Sequence, residues 1–442
     1  MDLSPDAPLS PLDVSPYTAY VYSYPHKTAY RVFDPIPMRQ VWKDERKEAL
    51  FLYIHVPFCE MRCGFCNLFT TVRPDGDLMD ATIDAVRRQA AQAREAIPGA
   101  TFARMAIGGG TPTFLSCAQL EALFEIAEGV MGANPAGVPT SVEVSPETAT
   151  PDKLEILRAH GVDRVSMGVQ SFEPDEVDAI SRLQRNEQVH RSLEAMRRAG
   201  FETLNVDLMY GLPHQTPASW RRSIEEALRY SPEEIYLYPL YVRPLTRMGA
   251  SKQDWDDERL NFYRQGRDLL LERGYRQVSM RMFRAAHAPN AQGPVYRCQE
   301  DGMVGLGCGA RSYTDGLHYS SEYAVGPSGV KAILRDFVAR TDAEFAEVRY
   351  GFALDEVERR RRHAILSLLS EEGLSRADWR RRFGGDPVEA LPQLAALAPL
   401  GLAEDDGAAL RLTDEGMERS DAIGPWLFSE RVERLMTDYE AR

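Results

Sequence analysis

Six short apolar runs of strand type recur along the chain: LFLYIHV (50–56), FARMAIG (102–108), TSVEVS (140–145), DRVSMGV (163–169), TLNVDLMYG (203–211) and EIYLYPLYV (234–242). Segments with apolar residues at helical spacing lie between them. These are LMDATIDAVRRQAAQAREAI (78–97), AQLEALFEIAEGVM (118–131), DKLEILRAHG (152–161), NEQVHRSLEAMRRAG (186–200) and PASWRRSIEEALRY (217–230). Strand then helix, repeated, predicts a parallel sheet with helices packed outside it. The regular repeat suits a full or partial (β/α) barrel, with a doubly wound open sheet as the alternative.

The pattern changes at both ends. Residues 1–45 are Pro-rich, and aromatics crowd into YTAYVYSYPHKTAYRVF (17–33), which predicts an extended arm. After the barrel, ERLNFYRQGRDLLLERG predicts a helix and YRQVSMRMF one further strand. Residues 296–330 are Gly-rich and predict a loop-heavy cover. From residue 355, DEVERRRRHAILSLLSEEGLSRADWRRRFG reads as two helices joined at a glycine. GLAEDDGAALRLTDEGMERSD reads as a hairpin and a helix, so this end is winged-helix-like. The expected division is an arm (1–45), a barrel (46–285), a Gly-rich extension (286–350) and a C-terminal winged-helix-like domain (351–442).

Composition narrows the function classes. With 442 residues, the chain has length for one large domain and a smaller one. A net charge of −14 argues against nucleic acid as a partner, since a duplex binder needs a basic surface. The basic stretch from Glu358 to His363 sits among apolar helical positions and does not alter this. No apolar run reaches the roughly 18 residues of a membrane span, and MDLSPDAPLSPLDVSP has no apolar signal core. A cytoplasmic location and a monomer are expected, with thiols kept reduced.

Three of the six cysteines, Cys59, Cys63 and Cys66, fall within eight residues at C-x3-C-x2-C spacing. In a reduced chain such a cluster points to metal or redox chemistry. A structural zinc site needs a fourth ligand, and Cys298, Cys308 and several histidines are available. The alternative is a [4Fe–4S] cluster with three thiolates and one iron left open. The loop follows the first strand of the repeat, where a (β/α) barrel builds its active-site face. Cys117, at a helix start, reads as a buried small residue.

The phrase YIHVPFCEMRCGFC resembles the radical S-adenosylmethionine (SAM) enzymes, in particular the HemN-like group. GGGTPT (108–113), VEVSPE (142–147), SMGVQSF (166–172), NVDLMYGLPHQT (205–216) and GLGCGARSY (305–313) resemble that group in order and spacing. The resemblance implies a partial (β/α)6 radical SAM barrel whose open iron chelates SAM. It implies a small-molecule substrate and a flavodoxin- or ferredoxin-type reductant. On the family motif, Cys59, Cys63 and Cys66 are the cluster ligands, with Tyr53 and Phe65 packing against cluster or adenine. Gly108, Gly109, Gly110 and Thr111 hold the methionine end of SAM, and consecutive glycines suit a close backbone approach. Glu143 contacts SAM, and a carboxylate among apolar strand residues is costly to bury unless paired. Gln170, Arg182 and Asp207 match positions that bind a second SAM, with Met209 and Tyr241 as neighbours. Arg182 is expected on the helix after Gln170.

Two family marks differ. Cys66 is followed by Asn67-Leu68-Phe69 rather than the Gly-Cys of the porphyrinogen enzyme. The haem chaperone's H-N-x-x-Y-W signature has only Leu317-His318-Tyr319-Ser320 as its nearest counterpart. The retained two-SAM set therefore leads to a third branch, the class C methylases and cyclopropane-forming enzymes, with methylene transfer to an sp2 carbon. The alternatives are coproporphyrinogen III oxidase-like decarboxylation and haem carriage.

Overall fold

The six apolar runs are six neighbouring parallel strands. Along the chain the strands are β1 (Arg31–Pro37), β2 (Leu50–Val56), β3 (Phe58–Cys59), β4 (Thr71–Val72), β5 (Phe102–Gly109), β6 (Thr140–Val144), β7 (Arg164–Gln170) and β8 (Thr203–Tyr210). They continue as β9 (Glu234–Pro239), β10 (Tyr275–Gln277), β11 (Met282–Ala285), β12 (Met303–Leu306), β13 (Arg311–Tyr313), β14 (Leu317–Ser320) and β15 (Glu347–Ala353). In this computed structural model residues 10–74, 76–242, 246, 248, 258–290 and 294–440 are described. The first nine residues of the expected arm, residue 75 and most of 243–257 in the expected barrel, 291–293 of the expected extension and the last two residues lie outside that set.

β2 and β5 to β9 pair in parallel, in chain order. Helices Gly76–Ala96, Cys117–Glu125, Pro151–Ala159, Asn186–Ala199 and Pro217–Leu228 connect them. This is the partial (β/α)6 barrel that the family resemblance implies, and it excludes the doubly wound alternative. Helix starts follow local chemistry. Ser116 and Gln119 form a reciprocal capping box, and Pro151 and Pro217 occupy first turns, where a missing N–H is harmless. Val189, Leu193 and Met196 are buried at spacings of four and three, one stripe of helix Asn186–Ala199. On β2, Leu50, Leu52 and Ile54 are buried while Phe51 and Tyr53 are half-buried, so alternate residues serve core and lumen.

The Gly-rich stretch is not a loop-heavy cover. Its β12 pairs in parallel with β2 and adds a seventh parallel strand, and β13, β14 and β15 follow antiparallel. The apolar content of MVGL, RSY and LHYS is too short to show a period. The arm is likewise a sheet member, since β1 pairs with β15 at the edge of the thirteen-stranded sheet. YRQVSMRMF forms a hairpin of β10 and β11 rather than one strand. Ser279 Oγ accepts the Met282 N–H at 3.2 Å and turns the chain there.

At the C-terminal end, helix Glu356–Leu368 leads to β16 (Leu374–Ser375), helix Arg376–Phe383, β17 (Ala403–Asp405) and β18 (Ala409–Leu412). The three short strands pair in the order β16-β18-β17 beside the helices. This helical domain has its own core, and Val21, Tyr24, Ala29 and Tyr30 of the arm belong to it. The arginine run is spent internally. Arg359 pairs with Asp315 at 2.8 Å, Arg361 donates to the Leu427 carbonyl at 2.6 Å, and Arg362 to the Gln299 carbonyl at 2.9 Å. Among the described residues, no helix is long and apolar enough to cross a membrane.

Candidate active site

The cysteine loop leaves β2 and returns through β4, and its backbone is pinned at several points. Gly64 N–H donates to the Ile180 carbonyl at 2.7 Å, and Tyr323 Oη donates to the Asn67 carbonyl at 2.8 Å. All three thiols are free and half-buried. Burial pushes the Cys59 thiol up to about 12, and the neighbouring Cys66 and Cys63 sulfurs add to this. Cys66 is raised by the same two effects. Mutually repelling thiolates at the mouth of a barrel gain most from a bound cationic centre. Among the described residues, no three His, Cys, Asp or Glu converge around a single ion. A cubane takes one thiolate per iron, so the donor set of this loop suits one.

The Gly-Gly-Gly turn at the end of β5 abuts this loop. Gly110 N–H donates to the Val56 carbonyl at 2.7 Å. A Cβ on Gly110 would lie 2.4 Å from the Phe58 carbonyl oxygen. Gly109 has φ 111 and a Cβ there would meet the His55 ring at 2.4 Å. Side chains are therefore excluded at both positions. Thr111 Oγ1 donates to the Cys59 sulfur at 3.7 Å, and Gly109 N–H donates to Glu143 Oε2 at 2.8 Å. Gly108 backs directly onto the same carboxylate. Glu143 is solvent-exposed, between buried Val142 and Val144 on β6, with protein groups crowded around its carboxyl. That crowding pushes its carboxyl up to about 7, against the pull of the Gly109 N–H, with Asp207 raising it further.

Arg182 and Gln170 approach from β7. Arg182 lies in irregular chain just past the turn at Ile180–Ser181 that ends the short helix Pro174–Ala179, not on a helix as expected. It donates to the Cys63 sulfur at 3.3 Å, to Gln184 Oε1 at 2.8 Å and to the Gly168 carbonyl. Gln170 ends β7 at φ 69, in a bulge between Gly168 and Gln170. A non-Gly residue held there costs of order 1–3 kcal/mol and marks a constrained site. Asp207 on β8 accepts from Asn205 Nδ2 at 2.7 Å. Burial pushes its carboxyl up to about 6, with Arg164 and Arg182 pulling down. Met209 packs with Ile180, Leu212 and Met248, and Phe65 of the cysteine loop leans on the same cluster.

Tyr53 Oη meets His55 Nδ1 at 3.2 Å, and His55 Nε2 meets the Phe69 carbonyl at 2.9 Å. Burial pushes this imidazole down to about 4, so it stays neutral. Tyr241 stands apart from the Gln170–Arg182–Asp207 group in its bonding, for its phenol donates to Asp421 of the C-terminal domain. Cys117 is not buried. It is half-exposed, and its thiol donates to Asp152 at 3.1 Å, since the residue after a helix cap faces solvent. Spacing did not single out Asn205 or Arg164, which joins Glu234 at 2.7 Å at the foot of β7. Both are polar residues at alternate strand positions, the one signal that marks a lumen face.

The radical SAM superfamily profile matches residues 53–227, and the HemN C-terminal domain profile matches residues 354–418. An oxygen-independent coproporphyrinogen III oxidase of Cereibacter sphaeroides is 31% identical over 389 residues, 83% of this chain and 84% of that protein. The heme chaperone HemW of Bacillus subtilis is 29% identical over 371 residues, 82% of this chain and 95% of the chaperone. The solved structure of the Escherichia coli coproporphyrinogen III oxidase HemN superposes with a TM-score of 0.79 at 24% identity, over 92% of this chain and 96% of HemN. The chain belongs to the HemN-like group of radical SAM proteins. That membership implies a [4Fe–4S] cluster, SAM, a reductant and a substrate.

These relatives overturn the methylase and cyclopropanase expectation, because they are named as an oxidase and a chaperone. The expectation rested on a retained SAM-binding set, which the branches share. Residues that hold a common cofactor carry no information on the product.

Proposed function

We propose that this chain is an oxygen-independent oxidative decarboxylase acting on a propionate-bearing, porphyrinogen-type substrate. Its oxidase relatives supply the reaction class. The observation that carries the reading is the split lumen. Acidic Glu143 and Asp207 stand on β6 and β8, and half-buried Arg311 stands on β13 with phenols around it. Such a cavity takes a cationic cofactor on one side and an anionic substrate on the other.

In this reading Cys59, Cys63 and Cys66 hold the cluster, which supplies reductive cleavage of SAM to a 5′-deoxyadenosyl radical. Gly108, Gly109, Gly110 and Thr111 offer backbone and hydroxyl groups to the methionine end of SAM, and Glu143 receives its amino group. Tyr53 and Phe65 pack against the bound groups. Gln170, Arg182 and Asp207 orient a second SAM beside the first, with Met209 and Tyr241 bordering it. The arm and the C-terminal domain close the lumen against water, which makes the four-part division of the chain a functional one. A propionate positioned to react would lose one hydrogen atom, then carbon dioxide, with one electron passing to an external acceptor, while other carboxylates stay intact. A vinyl group remains.

Haem carriage has less support. His318, the nearest counterpart of the chaperone's signature histidine, is fully buried and packs on Tyr313 with ring centroids 4.3 Å apart and planes tilted by 44°. The test is anaerobic reconstitution with SAM, dithionite and coproporphyrinogen III, read by mass detection. 5′-Deoxyadenosine and a vinyl product that both vanish in Cys63→Ala support the proposal. 5′-Deoxyadenosine without any vinyl product would defeat it.

A further inference from the structure

Two cations face the cysteine-loop side of the lumen with no carboxylate beside them among the described residues. Lys27 starts a 3-10 turn of the arm and sets its ammonium 3.6 Å from the centre of the Tyr323 ring. Arg311, the first residue of β13, stacks on the Tyr22 ring at 4.6 Å and donates to Ser23 Oγ at 3.1 Å. Both are half-buried. The groups acting most on the Arg311 charge are the phenols of Tyr22, Tyr313, Tyr30 and Tyr53. Burial holds Lys27 well below the usual ammonium range, and Arg311 pushes it the same way. Two half-buried like charges sharing one space are unfavourable until an anion enters.

We propose that Lys27 and Arg311, walled by Tyr22 and Tyr323, form a subsite for a non-reacting carboxylate of the substrate. The inference rests on the decarboxylase reading for the identity of that substrate. Arg311 offers a planar fork to a carboxylate and Lys27 a point charge, and the aromatic rings hold both cations in place. Tyr53 feels both Glu143 and Arg311, so it stands between the acidic and basic halves of the lumen. A carboxylate held at the basic half turns the rest of the substrate toward the Gly-Gly-Gly turn. Lys27 lies on the arm, so the subsite is complete only when the arm is docked.

The test is calorimetric titration of the reconstituted protein with two probes, coproporphyrin III and benzene-1,3,5-tricarboxylate. Lys27→Met and Arg311→Met should each weaken the binding of both at least tenfold, while Lys27→Arg retains it. Coproporphyrin tetramethyl ester, which lacks the charge, should bind wild type and variants alike. Tricarboxylate binding that depends on Lys27 without any coproporphyrin binding would sustain the subsite and count against the porphyrinogen substrate alone. Unchanged affinities in both Met variants, or no binding of either probe to wild type, would overturn the subsite. So would a loss of iron and visible absorbance in Lys27→Met, which would assign the cation to the cluster. Thermal melting of each Met variant guards against misfolding, and Lys27→Met keeps the test open if Arg311→Met does not fold.

Discussion

Arg182 joins the two halves of the site: one guanidinium nitrogen lies 3.3 Å from the Cys63 sulfur while another holds the Gly168 carbonyl on β7. The cysteine loop and the end of the strand carrying Gln170 are thereby fixed to each other. Charge-assisted hydrogen bonds of this kind are worth roughly 1.5–3 kcal/mol. Arg182→Met is expected to lower 5′-deoxyadenosine formation by about tenfold to a hundredfold while iron content stays near wild type. Arg182→Lys should not restore the rate, because an ammonium cannot span two acceptors in a fixed fork. Single-turnover assays with fixed cluster loading measure both.

Glu143 supplies a pH dependence whose sign is fixed. Its folded carboxyl is raised from 4.5 to about 7, so the folded state binds the extra proton between those values. Stability of the SAM-free protein therefore falls as pH rises from about 4.5 through about 7. Asp207, raised to about 6, acts in the same direction over a lower window. Glu143→Gln should flatten this fall and raise Tm at pH 8 relative to wild type. SAM binding should show the opposite trend, tightening with pH as the carboxylate forms, and the Gln variant should lose that tightening. Melting curves and equilibrium dialysis from pH 5 to pH 8 decide both points.

The parallel repeat was legible because each strand is long enough to show an apolar run and each helix long enough to show a stripe. The cysteine triplet and the glycine turn were legible because their chemistry lies in contiguous residues. Other parts were hidden for physical reasons. β12 to β14 are three or four residues each, below the length at which a period is visible. The helical spacing after Gln170 does not extend to Arg182, because the helix ends at Ala179 and the chain turns through Ser181 at φ 54. Lys27 and Arg311 meet across more than 280 residues of chain, and no local pattern records such a pairing. The product is not legible in the motifs, because the residues that hold SAM are common to several branches.

Gly110 tests how tightly the turn must sit against the cysteine loop. An added Cβ would come within 2.9 Å of the Phe58 carbonyl carbon and backbone nitrogen, and closer still to the oxygen. Backbone atoms of a paired strand cannot rotate away as a flexible side chain would. Gly110→Ala is expected to destabilise the protein by about 1–3 kcal/mol, in the range of overpacked interior sites. It should also slow cluster incorporation, since Phe58 is the neighbour of Cys59. Denaturant titration reports the first effect, and iron uptake at fixed protein concentration reports the second.

The C-terminal domain is tied to the barrel by a buried ion pair, and its removal has an asymmetric outcome. Arg281, between β10 and β11, grips both carboxylate oxygens of Asp421, and Tyr241 Oη donates to the same carboxylate. The Arg281 guanidinium also stacks on Tyr20 of the arm at 3.8 Å, and Ala19 N–H reaches the Asp421 carbonyl at 3.0 Å. Arm, barrel end and last domain thus share one charged node, with both partners almost free of solvent contact. Asp421→Asn leaves a buried guanidinium without its counter-charge and should cost about 3–5 kcal/mol. Replacing both partners by apolar residues of similar size, as in Arg281→Met with Asp421→Leu, should cost far less, because desolvation of the pair offsets much of its attraction. A double-mutant cycle by chemical denaturation separates the two cases. If the single and double variants are equally destabilised, the node owes its strength to packing around Tyr20 and Tyr241 rather than to charge. If the double variant recovers stability, the charges serve to hold the arm in one register over the lumen, and proteolysis at the arm should then accelerate in that variant.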